Sequence, residues 1–474
     1  MPRPTHLPCG RVEAVSDRRR FLQRAGAGFG LLALAHLLNG QGLLAAEEGD
    51  AVSPLAPKAP HHSPEARSVI WLFMEGGPSG FDLFDFKPEL QKQDGKRIAV
   101  ETFFGDPGPL MKAPFGFHQA GRSGAWVADI APHLAGCVDD IAFIKSCHTD
   151  SSNHGPAMFQ MNTGQTRPGF PSAGAWVSYG LGSENQNLPG FVVLGNAKGS
   201  KGAGMNWSAG FLPASYQGML FRPQGTPILN LNRTSDVAGA DQRAQLDLMA
   251  RLNQGHSASH PGEADLLARI QSFELAYRMQ EAAGDLIDLG QESEATRRLY
   301  GFEDPEAAVF ARKCLLARRM VERGVRFVQV YCDDEWDAHQ DIVANHTKMS
   351  RQTDQPIAGL LKDLKQRGLL DSTLVVWGGE FGRMPVSEKG KGRDHNPLGF
   401  LTWMAGAGVK GGISYGATDE FGLRAVEKPV SVPDLHATIL HLLGLDHTQL
   451  TYLHNGRRFR LTDVSGDVLF DVLT

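Results

Sequence analysis

Residues 69–74 read Val-Ile-Trp-Leu-Phe-Met and run directly into the turn Glu-Gly-Gly-Pro-Ser-Gly at residues 75–80. A short, wholly apolar run that ends in such a turn is typical of a strand buried on both faces, as in parallel sheets covered by helices. Four more apolar runs of strand length follow at residues 141–144, 325–330, 373–377 and 399–404. These five runs predict the centre of an α/β sheet.

Segments with helical spacing of apolar residues lie between or after these runs, at residues 263–289, 305–323, 346–367 and 432–445. The alternation predicts an α/β fold of three layers, with a largely parallel central sheet and helices on both faces. Residues from about 195 to 260 are rich in Gly, Asn, Ser and Gln. We interpret them as an insertion or cap over the sheet edge, within a single domain of residues 67–474.

The overall composition belongs to an ordinary globular protein. The chain has 474 residues, of which 42% are hydrophobic and 21% charged, and a formal net charge of -5. These values exclude a disordered chain and a multi-span membrane protein. The lack of a basic excess argues against nucleic acid as a partner, since no surplus charge exists to neutralise phosphates.

The first 46 residues resemble a twin-arginine export signal. Arg18 and Arg19, with Phe21 and Leu22, precede the weakly apolar stretch 25–38 and the small residues at 45–46. The stretch is shorter than the roughly 20 apolar residues of a stable membrane span. We therefore expect passage through the twin-arginine translocase, a periplasmic or extracellular location, and a linker at residues 47–66. The four cysteines that would remain do not form a disulfide scaffold, although one bridge stays open.

Acids, imidazoles and hydroxyls cluster after the predicted strands. The carboxyl ends of strands in open α/β sheets border ligand sites, so these clusters are expected to converge. Asp and His together suit Zn or Mn, whereas carboxylates alone suit Ca or Mg, and one or two ions are possible. The candidate metal ligands are Glu75, Asp82, Asp337, His339, Glu380, Asp394 and His395.

Four other residues are candidates for direct chemistry. A hydroxyl near a metal ion can act as a nucleophile, and Ser151 is the candidate, with Asp150 as an alternative base. His154 and Arg383 would stabilise a charged transition state. Purely structural roles stay open as well: the acids after the first strand could cap a helix, and Glu380 could pair with Arg383. No P-loop, dinucleotide fingerprint, Gly-x-Ser-x-Gly or zincin motif is present.

Several motifs resemble the alkaline phosphatase and sulfatase superfamily, namely the segment 152–168 with its Thr163-Gly164 turn, the strand that leads to Glu380, and His395-Asn396-Pro397. A more specific resemblance is to an exported bacterial, planctomycete-type family called domain of unknown function 1501. It rests on Gly76-Gly77-Pro78-Ser79, Gly379-Glu380-Phe381-Gly382-Arg383 and Gly392-Arg393-Asp394-His395.

The resemblance implies an alkaline phosphatase-like fold and metal-dependent hydrolysis of a sulfate or phosphate ester, on a small molecule or a polysaccharide. The chain departs from the superfamily in four ways: Glu380-Phe381 replaces Asp-His, Cys-x-Pro-x-Arg is missing, no residue matches the nucleophile cleanly, and the ligand after the first strand is Glu75 or Asp82. The alternative function is therefore a non-catalytic binding or assembly protein on a degenerate scaffold, since a fold does not carry activity with it.

Overall fold

The computed structural model describes residues 54–102, 107–196, 201–222, 228, 239–259, 264–332 and 335–474. The predicted signal segment and residues 47–53 lie outside this range. The described strands are β1 (Ser68–Phe73), β2 (Phe117–Ala120), β3 (Ala125–Ala128), β4 (Ile141–His148), β5 (Phe191–Leu194), β6 (Met219–Phe221), β7 (Phe327–Tyr331), β8 (Thr373–Gly378), β9 (Gly382–Glu388), β10 (Gly392–Asn396), β11 (Phe400–Ala405), β12 (Ile413–Tyr415), β13 (Ala417–Thr418), β14 (Ala425–Glu427), β15 (Val430–Ser431), β16 (Tyr452–His454) and β17 (Arg457–Phe459).

A nine-stranded sheet forms the centre of the molecule. Eight strands stand in the order β12-β4-β11-β8-β1-β7-β5-β6, and β15 pairs with β4. Among its described strands, only β11 runs antiparallel to its neighbours, and the other pairs are parallel. The five apolar runs of the sequence are β4, β11, β8, β1 and β7, which are consecutive neighbours in this sheet. The prediction of a largely parallel α/β sheet is confirmed.

Helices cover both faces of the sheet. Ile70 and Leu72 of β1 pack in one apolar cluster, and Val69, Trp71 and Phe73 pack in another on the opposite face. The described helices are α1 (Gly80–Leu83), α2 (Pro88–Lys92), α3 (His154–Thr163), α4 (Ala173–Leu181), α5 (Gly239–Ser259), α6 (Ala264–Ile287), α7 (Glu294–Leu299), α8 (Ala308–Glu322), α9 (Ile342–Gln366) and α10 (Val432–Leu442). The first cluster includes side chains of α6, α8 and α9, and the second includes side chains of α3, α4 and α10.

Parts of the predicted insertion (about 195–260) and of the predicted linker (47–66) lie within the described ranges, and both contact the domain. Strand β6 of the insertion extends the central sheet at its edge, parallel to β5. In the described part of the linker, Lys58 N donates to the Leu181 carbonyl and His61 N to the Gly444 carbonyl. No helix within the described ranges has the length and apolar character to cross a bilayer. The four described cysteines are buried and form no bridge with one another, although the sequence had left one bridge open.

Candidate metal centre

The site lies where several strands of the central sheet end. The turn after β1 carries Glu75, and α3, which follows β4, begins with His154. The segment after β7 supplies an acid and an imidazole, and β8 leads into Glu380. The antiparallel hairpin of β9 and β10 crosses the same edge and pairs the backbones of Arg383 and His395. The strand-end residues that meet here are Glu75, His154, Asp337, His339, Glu380 and His395.

Three imidazole rings and one carboxylate form the centre of the site. One ligand-type atom from each of His154, Asp337, His339 and His395 lies within 4.8 Å of the others. The two Nε2 atoms of His339 and His395 are 2.8 Å apart. Asp337 Oδ1 lies 3.0 Å from His339 Nε2 and 3.2 Å from His395 Nε2. Its other oxygen lies 3.2 Å from His154 Nε2.

The opposite nitrogen of each ring, Nδ1, contacts an oxygen outside the cluster. Two of these oxygens belong to carboxylates and one to a backbone carbonyl, and ionised carboxylates and carbonyls accept but do not donate. Each ring is therefore held with its proton on Nδ1 and a lone pair on Nε2 that points into the cluster. The pairs are His154 Nδ1 with Glu380 Oε1 at 2.5 Å, His339 Nδ1 with Glu388 Oε2 at 2.5 Å, and His395 Nδ1 with the Ser152 carbonyl at 2.6 Å.

Lone pairs that face one another repel unless a cation lies between them. A tetrahedral zinc ion with bonds of 2.0–2.1 Å to nitrogen separates its ligand atoms by about 3.3 Å. The distances of 2.8–3.2 Å within the cluster are close to that spacing. His154 Nε2 is buried and has no hydrogen-bond partner, because its approach to Asp337 lacks hydrogen-bond geometry. The donor set thus fits one divalent ion of the zinc or manganese type.

The ionisation of the cluster also favours a positive charge at its centre. Burial raises the pKa of the Asp337 carboxyl, but its close contacts with His154, His339 and His395 and the charge of Arg383 outweigh burial and hold that pKa far below its usual range. The contact with Asp337 raises the pKa of His339, whereas burial lowers the pKa of His395. The Asp337 carboxylate would stabilise a proton or a metal ion at the centre of the cluster.

Arg383 supports the cluster instead of facing a substrate. Its side chain is fully buried, and Nη2 donates to Asp337 Oδ1 at 2.6 Å. Nε donates to the Gly77 carbonyl and Nη1 to the Arg393 carbonyl, both at 3.0 Å, and Nη2 also donates to the Gly76 carbonyl. The sequence suggested that Arg383 would stabilise a charged transition state. The structure differs, because these buried contacts occupy its donors and fix Asp337.

Four of the predicted metal ligands lie outside the four-residue cluster, namely Asp82, Glu380, Asp394 and Glu75. Asp82 is fully buried and forms an ion pair with Arg393, with Nε and Oδ2 2.7 Å apart. Glu380 supports His154 and accepts the Gly76 N–H at 3.0 Å, so it does not pair with Arg383. Asp394 accepts the backbone N–H of His395, and it forms a second group of possible ligand atoms with His339 and Glu388, all within 4.8 Å of one another. The sequence could not separate these supporting acids from direct ligands, since all of them follow strands.

Glu75 borders the site without joining the cluster. Its Oε1 accepts the backbone N–H of Lys201 at 2.8 Å. Burial raises the pKa of the Glu75 carboxyl to about 8, and the nearby charges of Glu380 and Glu335 add to the shift.

The two candidates for nucleophile and base, Ser151 and Asp150, are tied to the start of α3. Ser151 Oγ accepts the N–H of Asn153 at 3.1 Å. Asp150 and Gln160 exchange two hydrogen bonds, at 2.9 and 2.5 Å. Among the described contacts, neither Ser151 nor Asp150 hydrogen-bonds to a cluster residue.

Sequence reasoning missed two residues at the site. Glu388, at the end of β9, holds His339. Lys201 Nζ lies 3.1 Å from Glu335 and 3.5 Å from Asp337, and its side chain is 36% exposed. Glu388 precedes an ordinary hairpin turn and carries no motif. Lys201 lies in the glycine-rich insertion between Ser200 and Gly202, where no motif distinguishes it.

A family model described as "Protein of unknown function (DUF1501)" matches residues 66–473. None of the curated proteins matches the chain.

Solved structures similar to the chain are of the sulfatase and alkaline phosphatase kind. A sulfatase from Pseudoalteromonas sp. is 13% identical over 88% of this chain and 70% of its own, with a TM-score of 0.35. A phosphonate monoester hydrolase from Silicibacter pomeroyi is 14% identical over 66% of this chain and 68% of its own, with a TM-score of 0.33. An alkaline phosphatase called TAB5 is 11% identical over 74% of this chain and 94% of its own, with a TM-score of 0.33.

Proposed function

The chain belongs to the protein family DUF1501, and from its ligand cluster we propose that it is an exported, metal-dependent hydrolase of anionic sulfate or phosphate esters. The observation that carries the proposal is the convergence of three Nε2 lone pairs and one carboxylate, each imidazole being held by an acceptor at Nδ1. Such outer hydrogen bonds are typical of metal-binding histidines, because they set the tautomer and the ring orientation.

His154, His339, His395 and Asp337 would hold the ion. A divalent ion bound there supplies Lewis acidity and lowers the pKa of a coordinated water. The chain's own contribution is to keep the ligands in place: Arg383 fixes the carboxylate. Solvent reaches the cluster, since the side chains of His339 and Asp337 are 25% and 20% exposed.

The charges around the cluster favour an anionic substrate. Lys201 is the exposed cation nearest the carboxylate among the described contacts, with its ammonium 3.5 Å from Asp337. Its charge would attract the ester's anionic group and stabilise the charge that builds up during displacement. The Lys201 side chain is about one-third exposed, so it can contact an ester that binds at the cluster, whereas the buried Arg383 side chain cannot.

We assign the nucleophile to water instead of to Ser151. The Ser151 hydroxyl also lies within hydrogen-bond distance of the Asn153 carbonyl, at 3.4 Å, so both of its described contacts stay within the start of α3. An ion held by the cluster would supply the chemistry that activates a water, so no side-chain nucleophile would be required.

Elemental analysis combined with ester assays tests the proposal. The purified protein should hold about one zinc or manganese ion per chain and should hydrolyse a model sulfoester or phosphoester. His339→Ala and His395→Ala should lose both the ion and the activity, while His118→Ala, at an exposed ion pair with Asp129, should keep both. A folded protein that stays metal-free after supplementation with divalent ions would show the assignment to be wrong.

A second candidate is a metal-loaded binding protein without catalytic activity. It is favoured by the local bonding of Ser151 and by the burial of Arg383, which leave the described cluster without a hydroxyl nucleophile or an exposed guanidinium. Protein that binds both the ion and an anionic ester, and that releases no product over many hours, would support this candidate over the hydrolase.

The export part of the proposal is supported by the Arg18-Arg19 motif and the weakly apolar stretch that follows it. Replacing both arginines by lysine keeps the charge but removes the twin-arginine signature. The doubly substituted precursor should stay in the cytoplasm, whereas the natural chain should be processed and exported. Equal export of the two chains, measured by cell fractionation, would contradict this route.

A further inference from the structure

A buried ion pair connects the segment after β1 with strand β10, next to the metal centre. Asp82 lies on α1 and Arg393 on β10, and both side chains are fully buried. The pair is bidentate: Nε of Arg393 lies 2.7 Å from Oδ2 of Asp82, and Nη2 lies 3.0 Å from Oδ1. A guanidinium and a carboxylate that meet through two such bonds fix each other's orientation as well as their distance.

The other donors of the Arg393 guanidinium are occupied as well. Nη1 donates to the carbonyls of Met384 and Pro385, at 3.3 and 3.2 Å. Nη2 donates to the carbonyls of Met111 and Lys112, at 2.9 and 3.2 Å. All five N–H groups of this guanidinium thus have acceptors in the described chain, and none is left for a substrate.

The backbone N–H of Arg393 holds the loop that carries two of the proposed metal ligands. It donates to the Ala338 carbonyl at 3.0 Å. Ala338 lies between Asp337 and His339, so this bond fixes the middle of the ligand pair. The strand also passes directly against the loop, since a side chain at Gly392 would overlap the His339 carbonyl.

The Arg393 carbonyl and the residues after it bear on the rest of the cluster. This carbonyl accepts Nη1 of Arg383 at 3.0 Å, and Nη2 of the same guanidinium donates to Asp337 at 2.6 Å. His395 follows Arg393 by two residues on β10. A shift of β10 would therefore move His395 and would release the contacts that hold the loop before it.

We propose that the Asp82–Arg393 pair positions three of the four ligands of the metal centre, namely Asp337, His339 and His395, without contacting the ion or the ester. The pair ties β10 to α1 and so fixes the strand against the ligand loop. A buried ion pair is often no more stabilising than an apolar pair of similar volume, because both charges must leave water. The proposal rests on the proposed function in one respect, that the cluster holds an ion.

Zinc affinity and the visible absorption of bound Co²⁺ test the proposal in the full-length protein. The intensity of Co²⁺ absorption depends on coordination geometry, so it reports where the ligands lie and not how stable the fold is. Asp82→Leu/Arg393→Met removes both charges and the fork at similar volume. Glu292→Leu/Arg319→Met is the matched control, because Arg319 is also buried and also joins one carboxylate, that of Glu292, and backbone carbonyls. Among the described contacts, neither control residue meets the cluster.

Asp82→Leu/Arg393→Met should bind Zn²⁺ about 10- to 100-fold more weakly in competition with a chromophoric chelator, the usual cost of losing a residue that supports metal ligands. Its Co²⁺ absorption should differ from that of the natural chain, whereas the control variant should keep both properties. Arg393→Lys keeps the charge but not the fork and should weaken Zn²⁺ binding several-fold. It tests the pair even if the double variant fails to fold.

Unchanged Zn²⁺ affinity and an unchanged Co²⁺ spectrum in the Asp82 and Arg393 variants would overturn the proposal and leave the proposed function standing. An equal loss in Glu292→Leu/Arg319→Met would also overturn it, because the effect would then belong to any buried ion pair. A natural chain that binds neither Zn²⁺ nor Co²⁺ would contradict the positioning role and the proposed function together.

Discussion

The proton on each of the three imidazole rings of the cluster sits on Nδ1, because the partner of each Nδ1 atom is an oxygen that accepts. Glu380 and Glu388 hold two of the rings, and the Ser152 carbonyl holds the third. The oxygens that accept from Nδ1 matter as much as the ligands themselves, since a ring with its proton on Nε2 cannot bind a metal ion through that nitrogen.

Glu388→Gln should weaken metal binding by about 10- to 100-fold, the usual cost of losing an outer partner of a metal-binding histidine. The amide can donate to His339 Nδ1 and so favour the tautomer with the proton on Nε2. Competition with a chromophoric chelator measures the affinity. Glu303→Gln is the control, since Glu303 pairs with Arg298 and its side chain is 72% exposed. Equal affinities for the Glu388 variant and the natural protein would refute the tautomer argument.

Lys201→Gln should raise the KM for an anionic ester about tenfold, because it removes one positive charge next to the bound anion. The bond from the Lys201 backbone N–H to Glu75 does not involve the side chain, so the local fold should be kept. Steady-state kinetics and metal content are the measurements. Lys365→Gln is the control, since Lys365 pairs with Asp140 and its side chain is 60% exposed. An unchanged KM with full metal content would mean that Lys201 does not meet the substrate.

The turn between β1 and α1 joins two parts of the site. Gly76 has φ of +103°, and its N–H donates to both oxygens of Glu380, at 3.0 and 3.1 Å. The loop after β7 lies so close to this turn that a Cβ at Gly76 would be 2.6 Å from Trp336 N. Trp336 precedes Asp337, and its N–H donates to the Glu75 carbonyl at 2.8 Å. The turn therefore fixes the loop that carries the carboxylate ligand.

Gly76→Ala should destabilise the fold by more than about 3 kcal/mol and should reduce metal content, because backbone strain and a backbone clash act together. Gly95→Ala is the matched control: its φ is +80°, but a Cβ there meets no atom within 4 Å. The control should lose only about 1–2 kcal/mol, the cost of a left-handed conformation in a non-glycine residue. Urea unfolding and elemental analysis measure both effects, and similar losses in the two variants would contradict the argument.

The whole molecule keeps at least two histidines neutral in its interior. Burial lowers the pKa of His346 well below its usual value and lowers the pKa of His436 to about 4. His436 lies on α10, and its Nε2 donates to the Met161 carbonyl of α3 at 2.9 Å. Both residues lie far from the protein surface, so protonation requires that the packing of helices on the sheet give way.

The free energy of unfolding should fall as the pH drops from about 6.5 to about 4. In that window the unfolded chain binds a proton at His436 and the folded chain does not, so stability is lost with acid. A pKa change from 6.5 to about 4 corresponds to roughly 3 kcal/mol. His436→Gln should reduce the pH slope, whereas His118→Gln, at an exposed site, should not. Urea unfolding with a chelator present is the measurement, and equal slopes for both variants would contradict it.

Much of the fold could be predicted because the central strands carry their own signal. A strand buried on both faces is largely apolar, and the five wholly or largely apolar runs became five adjacent strands. Short strands such as β6 and β15 are too brief to show a pattern. Three ligands of the cluster, Asp337, His339 and His395, were among the predicted ligands, because they follow strands or lie in the next loop. His154 was assigned a different role.

The order of apolar and polar residues was enough to specify the sheet, its helical layers and the edge where chemistry gathers, because burial imposes a local pattern. The role of each acid at the site depended on the tertiary structure alone. Glu388 meets His339 across 49 residues, and Asp82 meets Arg393 across 311. Which carboxylate faces an ion, which supports an imidazole and which pairs with a buried guanidinium is set by distances of a few ångströms, and no local pattern records such distances.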